Sequence, residues 1–291
     1  MYGLLAITTV CAAGKAVICK RLGANDKGSR SVFSWNAGIY FIAALVAFLS
    51  LYPNFGNLFT MSPFTLLLAV VFASLLLFTQ VTEIKAMSLG SVSMTILIYS
   101  GGFVLPIAYG YFLQNEQISL VRGIGILLMA VAMSFIIRPR KEGGVSVPWV
   151  MMSCLALIGS GMVAVTQKHH QSTHYADELA CFVTVGLLLA SVLSLILSLI
   201  RRPSSGKNTP LSIRDIGFVI VSGLCIGVQN LLNLYLAGKI PAAVLFPVYN
   251  IGSMILTALF GVVVLKEKQS KGQWTGFILG CISIGLIGLQ S

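Results

Sequence analysis

Long apolar runs, separated by short polar connections, make up almost the whole chain. Each run has about 20 residues, the length that an α-helix needs to cross the roughly 30 Å hydrocarbon core of a bilayer. None shows the period-two alternation of a β-strand, and lipid admits only helices or closed barrels. The pattern predicts ten transmembrane helices, at Tyr2–Lys20, Val32–Leu51, Phe64–Lys85, Leu89–Leu113, Ser119–Ile137, Pro148–Lys168, Leu179–Ile200, Ile213–Ala237, Pro241–Leu265 and Gly272–Leu289.

Composition supports a membrane protein of the all-α class. The 291 residues are 57% hydrophobic and only 9% charged, with a mean hydropathy of +0.93, whereas soluble domains have about 25% charged residues. The six cysteines lie inside apolar runs, without the spacing of a disulfide framework or a zinc site. We therefore expect no cofactor and no metal. Met1 leads directly into a span with no basic stretch, so we expect no cleavable signal.

The chain has a net charge of +11, and its basic residues lie in the short connections beside the spans. In that position they indicate the topology of a membrane protein rather than nucleic-acid binding. Fifteen of the 19 Lys and Arg residues follow spans 1, 3, 5, 7 and 9, whereas only Arg122, Lys168 and Lys239 follow the even-numbered spans. This bias predicts cytoplasmic odd-numbered connections and two external termini, in an inner or plasma (cell) membrane.

Two stretches of the chain, 89–119 and 240–270, align without a gap. The matches fall on residues that shape helices and turns: Gly101 with Gly252, Gly110 with Gly261, Glu116 with Glu267, Ser119 with Ser270, and Gly125 with Gly276. Because each copy has five spans, an odd number, the second copy must be inverted in the membrane. Equivalent connections have opposite charge bias, as inversion requires. We predict ten transmembrane helices as two inverted five-helix repeats, residues 1–140 and 146–291.

The matching residues carry a resemblance to a known family. They are Ala86–Ser93, Gly110, Glu116 and Gly125 in the first copy, and Gly261, Glu267 and Gly276 in the second. A glycine-rich fourth helix that ends in a short Glu-containing turn, present in two inverted copies, resembles the drug/metabolite transporter (DMT) superfamily and its EamA-type members. The resemblance covers essentially the whole chain and implies a secondary carrier of amino acids, other metabolites, nucleotide sugars or drugs. Lys15 departs from it, because relatives tend to have a small polar residue there.

Lys15 stands out because it lies inside a predicted span. An ionisable group at the centre of a span costs about 2.5–3.5 kcal/mol on insertion scales, which suggests a role in a polar cavity. The alternatives are that its side chain reaches the cytoplasmic surface or pairs with Glu83 for packing. Glu83, with Gln80 on the same helix face, is the candidate for proton coupling.

Amide and aromatic side chains complete the predicted substrate-binding set. Span 8 has three amides at the depth that Gln80 and Glu83 occupy in span 3, and Tyr99 aligns with Asn250 between the fourth and ninth spans. Such polar stripes should face the protein interior rather than lipid; the alternative is that they only hydrogen-bond helices together. The set is Lys15, Gln80, Glu83, Tyr99, Gln229, Asn230, Asn233, Tyr249 and Asn250.

Other polar residues are expected to be structural. Glu116 and Glu267 lie in turns just before a helix, where an acidic group stabilises the helix N-terminus. His169, His170 and His174 are assigned with Lys168 to a solvated external loop, so that no histidine lies inside a span. Gly276 and Gly280 form a GxxxG face suited to close helix packing, either within a monomer or across a homodimer.

These features favour a secondary transporter of a small metabolite, with an amino acid or another carboxylate-bearing compound as the favoured substrate. Its expected partners are that substrate and the lipid bilayer. The alternatives are an efflux carrier of cationic compounds and a membrane sensor without transport. We expect no enzyme activity, because the chain lacks the nucleotide-binding GxxxxGK[ST] loop and the GxSxG nucleophile motif.

Overall fold

The computed structural model describes residues 1–25, 29–89, 95, 98–136, 146–200, 213–265 and 271–288. Regular structure in this part of the chain is entirely helical. The ten α-helices are α1 (Tyr2–Asn25), α2 (Ser29–Leu49), α3 (Pro63–Leu89), α4 (Val104–Leu113), α5 (Leu120–Ile136), α6 (Val147–Gln171), α7 (Leu179–Ile200), α8 (Ile213–Ala237), α9 (Ala242–Leu265) and α10 (Lys271–Gly288).

The prediction of ten helices is confirmed, and the bounds of α7 and α8 agree residue for residue. The largest difference is in the fourth predicted span, Leu89–Leu113, because α4 covers only Val104–Leu113 and follows a 3-10 turn at Gly101–Phe103. The other main differences are at polar ends. The first helix continues five residues beyond Lys20, and the sixth continues through His170 to Gln171. Bilayer thickness limits the apolar run but not the helix, which continues until its backbone is capped or broken.

Four helical segments in the described residues are long and apolar enough to cross a membrane. They are Pro63–Ala86, Val147–Gln171, Ala176–Ile200 and Ile216–Ala237. Six shorter apolar helices accompany them. Large hydrophobic side chains such as Leu127, Leu199 and Ile278 are exposed. A soluble protein rarely has so much exposed apolar surface, so these faces are suited to lipid.

Contacts divide the chain into two compact units, each of which takes helices from both halves of the sequence. Unit 1 contains Met1–Leu77 and Thr173–Tyr235, and unit 2 contains Phe78–Ser172 and Leu236–Ser291.

In unit 1, α2 packs along α7. The Ser34 and Ser198 hydroxyl groups lie 2.5 Å apart, and Ser191 Oγ donates to the Ala37 carbonyl oxygen at 2.7 Å. On α8, Gly223 and Gly227 contact α2 so closely that a methyl group at either position would collide with an isoleucine or valine of that helix. Small residues and hydroxyl groups at helix contacts are typical of membrane bundles.

In unit 2, α5 packs along α10, and α9 packs against α4, α5 and α10. Ser283 Oγ on α10 donates to the Gly125 carbonyl oxygen at 2.8 Å. A Cβ atom at Gly280 would lie 2.9 Å from Ile255 Cδ1, so α9 and α10 approach closely at this glycine. Gly280 therefore packs within the chain, one of the two arrangements that the GxxxG pattern left open.

Candidate functional site

The predicted amides of span 8 lie on a polar stripe of α8 in unit 1. Ser222, Gln229 and Asn233 are seven and four residues apart, so they share one helix face. Asn230 lies beside this face, and its Nδ2 donates to the Ile226 carbonyl oxygen at 3.0 Å. Ser222 Oγ and Asn233 Oδ1 are buried, and neither has a hydrogen-bond partner in the described residues. Buried polar atoms normally have a partner, so these two atoms make the stripe the candidate contact for a polar ligand.

The stripe faces the interior of unit 1. Cys225 contacts α1 at Gly14, and Gly223 and Gly227 contact α2. At about 100° per residue, Ser222 and Asn233 lie between these two contact faces of α8. Lys15 follows Gly14 in α1, and its side chain lies outside the described part of the structure.

The remaining predicted residues lie in unit 2. Gln80 and Glu83 are half-buried and one turn apart on α3, as their spacing predicts. Tyr99 is half-buried, and its carbonyl oxygen accepts a hydrogen bond from Ser160 Oγ at 3.2 Å. Tyr249 and Asn250 are half-buried on α9, and Asn250 Nδ2 donates to its own helix at the Phe246 carbonyl oxygen, at 2.8 Å. Part of the Asn250 amide is thus used within α9.

A buried ion pair, absent from the predicted set, lies at one end of unit 2. Lys168 Nζ is 2.6 Å from Glu116 Oε1, and the two side chains are only 8% and 16% exposed. Lys168 Nζ also donates to the carbonyl oxygens of Ala237 at 2.9 Å and Ile240 at 3.2 Å. The ammonium group therefore has three acceptors for its three N–H bonds, and a substrate would have to displace one of them.

The other carboxylate oxygen of Glu116 caps a helix. Glu116 Oε2 accepts a hydrogen bond from the Ala242 N–H at 2.7 Å, where α9 begins. The chain turns back to make this contact, with Asn115 at a positive φ of 53° and the Glu116 N–H bonded to the Gly110 carbonyl oxygen. A Cβ atom at Gly110 would lie 2.5 Å from Glu116 Oε2. Gly110 is therefore needed for the carboxylate to reach α9.

We call Glu116, Lys168 and the three backbone groups that they bind, at Ala237, Ile240 and Ala242, the ion-pair clamp. Its cation contacts carbonyl oxygens at the end of α8, and its anion contacts an N–H at the start of α9. Each charge thus complements the partial charge of a helix end. Removal of one partner from a buried pair typically costs about 3–5 kcal/mol, because the other charge stays buried and uncompensated.

The clamp corrects three predictions. Lys168 does not lie in a solvated loop; it is a buried residue of α6. His169 and His170 also lie within α6, His170 with no exposed surface, and Tyr109 Oη lies 2.7 Å from His169 Nδ1. Glu116 caps α9 rather than the following helix α5. The matching Glu267 lies outside the described residues.

A second contact of a carboxylate with a helix end, half-buried, lies in unit 1. The Glu178 carboxylate, in the turn before α7, accepts hydrogen bonds from the Ser62 N–H at 3.0 Å and Ser62 Oγ at 2.7 Å. Ser62 directly precedes α3, and its hydroxyl group accepts a hydrogen bond from the Thr65 N–H. Glu178 therefore stabilises the start of α3 through Ser62, in agreement with the preference of acidic groups for helix N-termini.

The sequence contains one signal for the clamp, the position of Lys168 at the end of an apolar run. Lys168 ends an apolar run of 21 residues, and an ionisable residue at such a position needs a partner or solvent. The sequence pattern places Lys168 with His169, His170 and His174 in a solvated loop after the sixth span, and so offers solvent in place of a partner. For metal binding, no group of three or more His, Cys, Asp or Glu side chains is suitably arranged in the residues that the structure describes.

Comparisons with known proteins agree with this architecture. A solved crystal structure, described only as that of a protein, has a TM-score of 0.81 to the chain, at 14% sequence identity. The match covers 99% of this chain and 96% of the other, which shows a shared fold over the whole length. No curated protein matches the chain in sequence. Residues 147–289 match the model of the EamA-like transporter family.

Proposed function

We propose that this integral membrane protein is a secondary carrier of a small metabolite, because residues 147–289 match the model of the EamA-like transporter family. That family is part of the DMT superfamily, and its members are transporters. The family match carries this proposal. The four clearly apolar spans among the described residues support a membrane location.

Helix packing within each unit supports the inverted arrangement of residues 1–140 and 146–291. In a five-plus-five repeat, α2 is equivalent to α7 and α5 is equivalent to α10. The first pair packs together along its length in unit 1, and the second pair does so in unit 2. The matched contacts run antiparallel, since Ser34 contacts Ser198 and Ala37 contacts Ser191. Equivalent helices of an inverted repeat have opposite directions in the membrane.

The proposed substrate contacts are those predicted from the sequence. In unit 1 they are Lys15, Gln229, Asn230 and Asn233, and in unit 2 they are Gln80, Glu83, Tyr99, Tyr249 and Asn250. The buried Asn233 Oδ1 supports this assignment most directly. Lys15 favours an amino acid or another carboxylate-bearing compound, and Glu83 is the proposed proton-coupling group.

Orientation follows the distribution of basic residues, with both termini external in a cell membrane. Lys168 is neutralised by Glu116 and belongs to α6, so it no longer counts as a charge of an external connection. Arg122 and Lys239 then remain on that side, which increases the bias. A monomer or a homodimer is compatible with this proposal.

The test is uptake by purified protein in proteoliposomes. The panel contains amino acids, organic acids and cationic drugs, each assayed with and without an imposed pH gradient and in both directions of transport. The variants are Lys15→Ala, Glu83→Gln and Asn233→Leu, and Lys239→Met serves as the control because Lys239 is exposed in a turn.

We expect gradient-driven flux of an anionic or zwitterionic compound that the first three variants lose and the control retains. Flux of cationic compounds alone would favour the efflux alternative. The absence of flux for every class, from protein that elutes as a folded species, would reject the transporter proposal and favour the sensor.

A further inference from the structure

We propose that the ion-pair clamp is a positioning device, which fixes the start of α9 and thereby aligns Tyr249 and Asn250 for transport. The part concerning transport rests on the proposed function. The part concerning the position of α9 stands on the contacts of the clamp alone.

The clamp joins four chain segments through two charged groups. Glu116 lies in the connection after α4, and Lys168 lies in the last turn of α6. Their contacts reach the last residue of α8 and the first residue of α9. The connection from α8 to α9 has only four residues, Gly238–Pro241, so a displacement of this turn would move the start of α9 directly.

Each charge of the clamp has the sign that its helix end requires: the cation binds carbonyl oxygens, and the anion binds an N–H. The ammonium group of Lys168 accepts nothing and donates three hydrogen bonds, two of them to carbonyl oxygens. The ionised carboxylate of Glu116 only accepts, and one of its hydrogen bonds comes from the Ala242 N–H. Exchange of the two charges would place a carboxylate against carbonyl oxygens and an ammonium group against an N–H. The two side chains are therefore not interchangeable.

The start of α9 transmits this position to the predicted site. Every residue of Ala242–Pro247 is buried, so this segment is held by its neighbours on all sides. Tyr249 and Asn250 follow about 10–12 Å further along the helix, at 1.5 Å per residue. Pro247 lies between the start of α9 and both residues, and a proline inside a helix permits a bend. A shift of the start of α9 is therefore expected to change the position or the tilt of both side chains.

Amide hydrogen exchange of the full-length protein in lipid nanodiscs tests the position of α9. The variants are Glu116→Gln, Lys168→Met and the double charge exchange Glu116→Lys/Lys168→Glu. Lys239→Met is the matched control, because it removes an exposed lysine from the same turn. Lys168→Arg tests whether another cation with several donors can replace Lys168.

We expect the amides of the α8–α9 turn and the first turn of α9 to exchange about tenfold to a hundredfold faster in both single variants, as for the loss of a charged hydrogen bond. The control should exchange as the unaltered protein does, and the charge exchange should not restore protection. Unchanged exchange in the single variants would overturn the proposal, and so would full protection in the charge-exchanged protein. If Lys168→Met does not fold, Glu116→Gln carries the test, since it keeps the shape of the side chain.

A second experiment measures transport of any substrate that the unaltered protein carries. We expect Glu116→Gln and Lys168→Met to raise the half-saturation concentration, whereas Lys239→Met leaves it unchanged. An unchanged half-saturation concentration in folded clamp variants would overturn the role in positioning the site. If the unaltered protein carries nothing, the proposed function fails, while the exchange measurement still decides whether the clamp holds α9.

Discussion

Single charged residues in this protein act mainly on helix ends. Glu116 and Glu178 each direct a carboxylate to an N–H at or just before the start of a helix that is distant in the sequence. Lys168 binds carbonyl oxygens at and just beyond the end of α8. Helix ends have four unsatisfied N–H or carbonyl groups each, and those that packing buries, as at Ala237, need a partner within the protein. The few charged side chains of this protein supply hydrogen-bond partners to these helix-end groups. The partial charge of the helix end in turn stabilises the charge of the side chain.

Glu178 gives a direct measurement of this effect. We expect Glu178→Ala to lower the free energy of unfolding by about 1–2 kcal/mol, as for the loss of a helix cap, because the Ser62 N–H and hydroxyl group lose their acceptor. Asp177→Ala is the matched control, since Asp177 is the exposed neighbouring acid. Thermal unfolding in detergent should show a lower Tm for the first variant only. Equal Tm values for both variants would show that the Ser62 contact adds no stability.

At the level of helices, close approach depends on glycine and on small hydroxyl residues. α8 contacts α2 through Gly223 and Gly227, and α10 contacts α9 through Gly280. Lipid tails are as apolar as leucine side chains, so the hydrophobic effect does not drive these contacts; dispersion and hydrogen bonds between closely spaced backbones do. The positions of glycine therefore determine which helix faces pack.

Two glycines of α10 test this explanation. A Cβ atom at Gly280 would lie 2.9 Å from Ile255 Cδ1, whereas one at Gly285 would meet nothing within 4 Å. We expect Gly280→Ala to destabilise the protein by about 1–3 kcal/mol through overpacking, and Gly285→Ala to stabilise it by up to about 1 kcal/mol through helix propensity. Unfolding in detergent measures both. The same effect at both positions would exclude contact with α9 as the cause.

At the level of the whole molecule, even-numbered connections meet each other within each unit. In unit 1, Glu178 of the α6–α7 connection contacts Ser62 of the α2–α3 connection. In unit 2, Glu116 of the α4–α5 connection contacts Ala242, which follows the α8–α9 connection. Helices that alternate in direction place such connections on one side of the membrane. Their low content of basic residues makes this the external side in our proposal.

Cysteine labelling tests the orientation. His174 is exposed in the α6–α7 connection, so His174→Cys in a background without the six native cysteines should react with a membrane-impermeant maleimide on intact cells. A cysteine in place of Ser291 should react in the same way, because both termini are expected outside. Reaction only after cell lysis would reverse the proposed orientation.

The sequence by itself determined the number, type and approximate bounds of the helices. Bilayer thickness imposes one length on every apolar run, and the low charge content leaves few places for anything but helix. It also predicted the three amides of α8, because the spacing of Gln229, Asn230 and Asn233 on one side of the helix follows from helix periodicity alone. These properties are local or compositional, so they need no knowledge of which helices are neighbours.

Only the tertiary structure decided which helix end each charge serves. Glu116 and Lys168 are 52 residues apart, and both contact a turn about 70 residues beyond Lys168. Sequence pattern placed Lys168 in solvent and assigned Glu116 to the helix next to it, since both assignments consider only neighbours along the chain. Burial and pairing depend on the packing of α4, α6, α8 and α9, where Gly110 leaves the space that the carboxylate fills. That space exists only once the helices have packed.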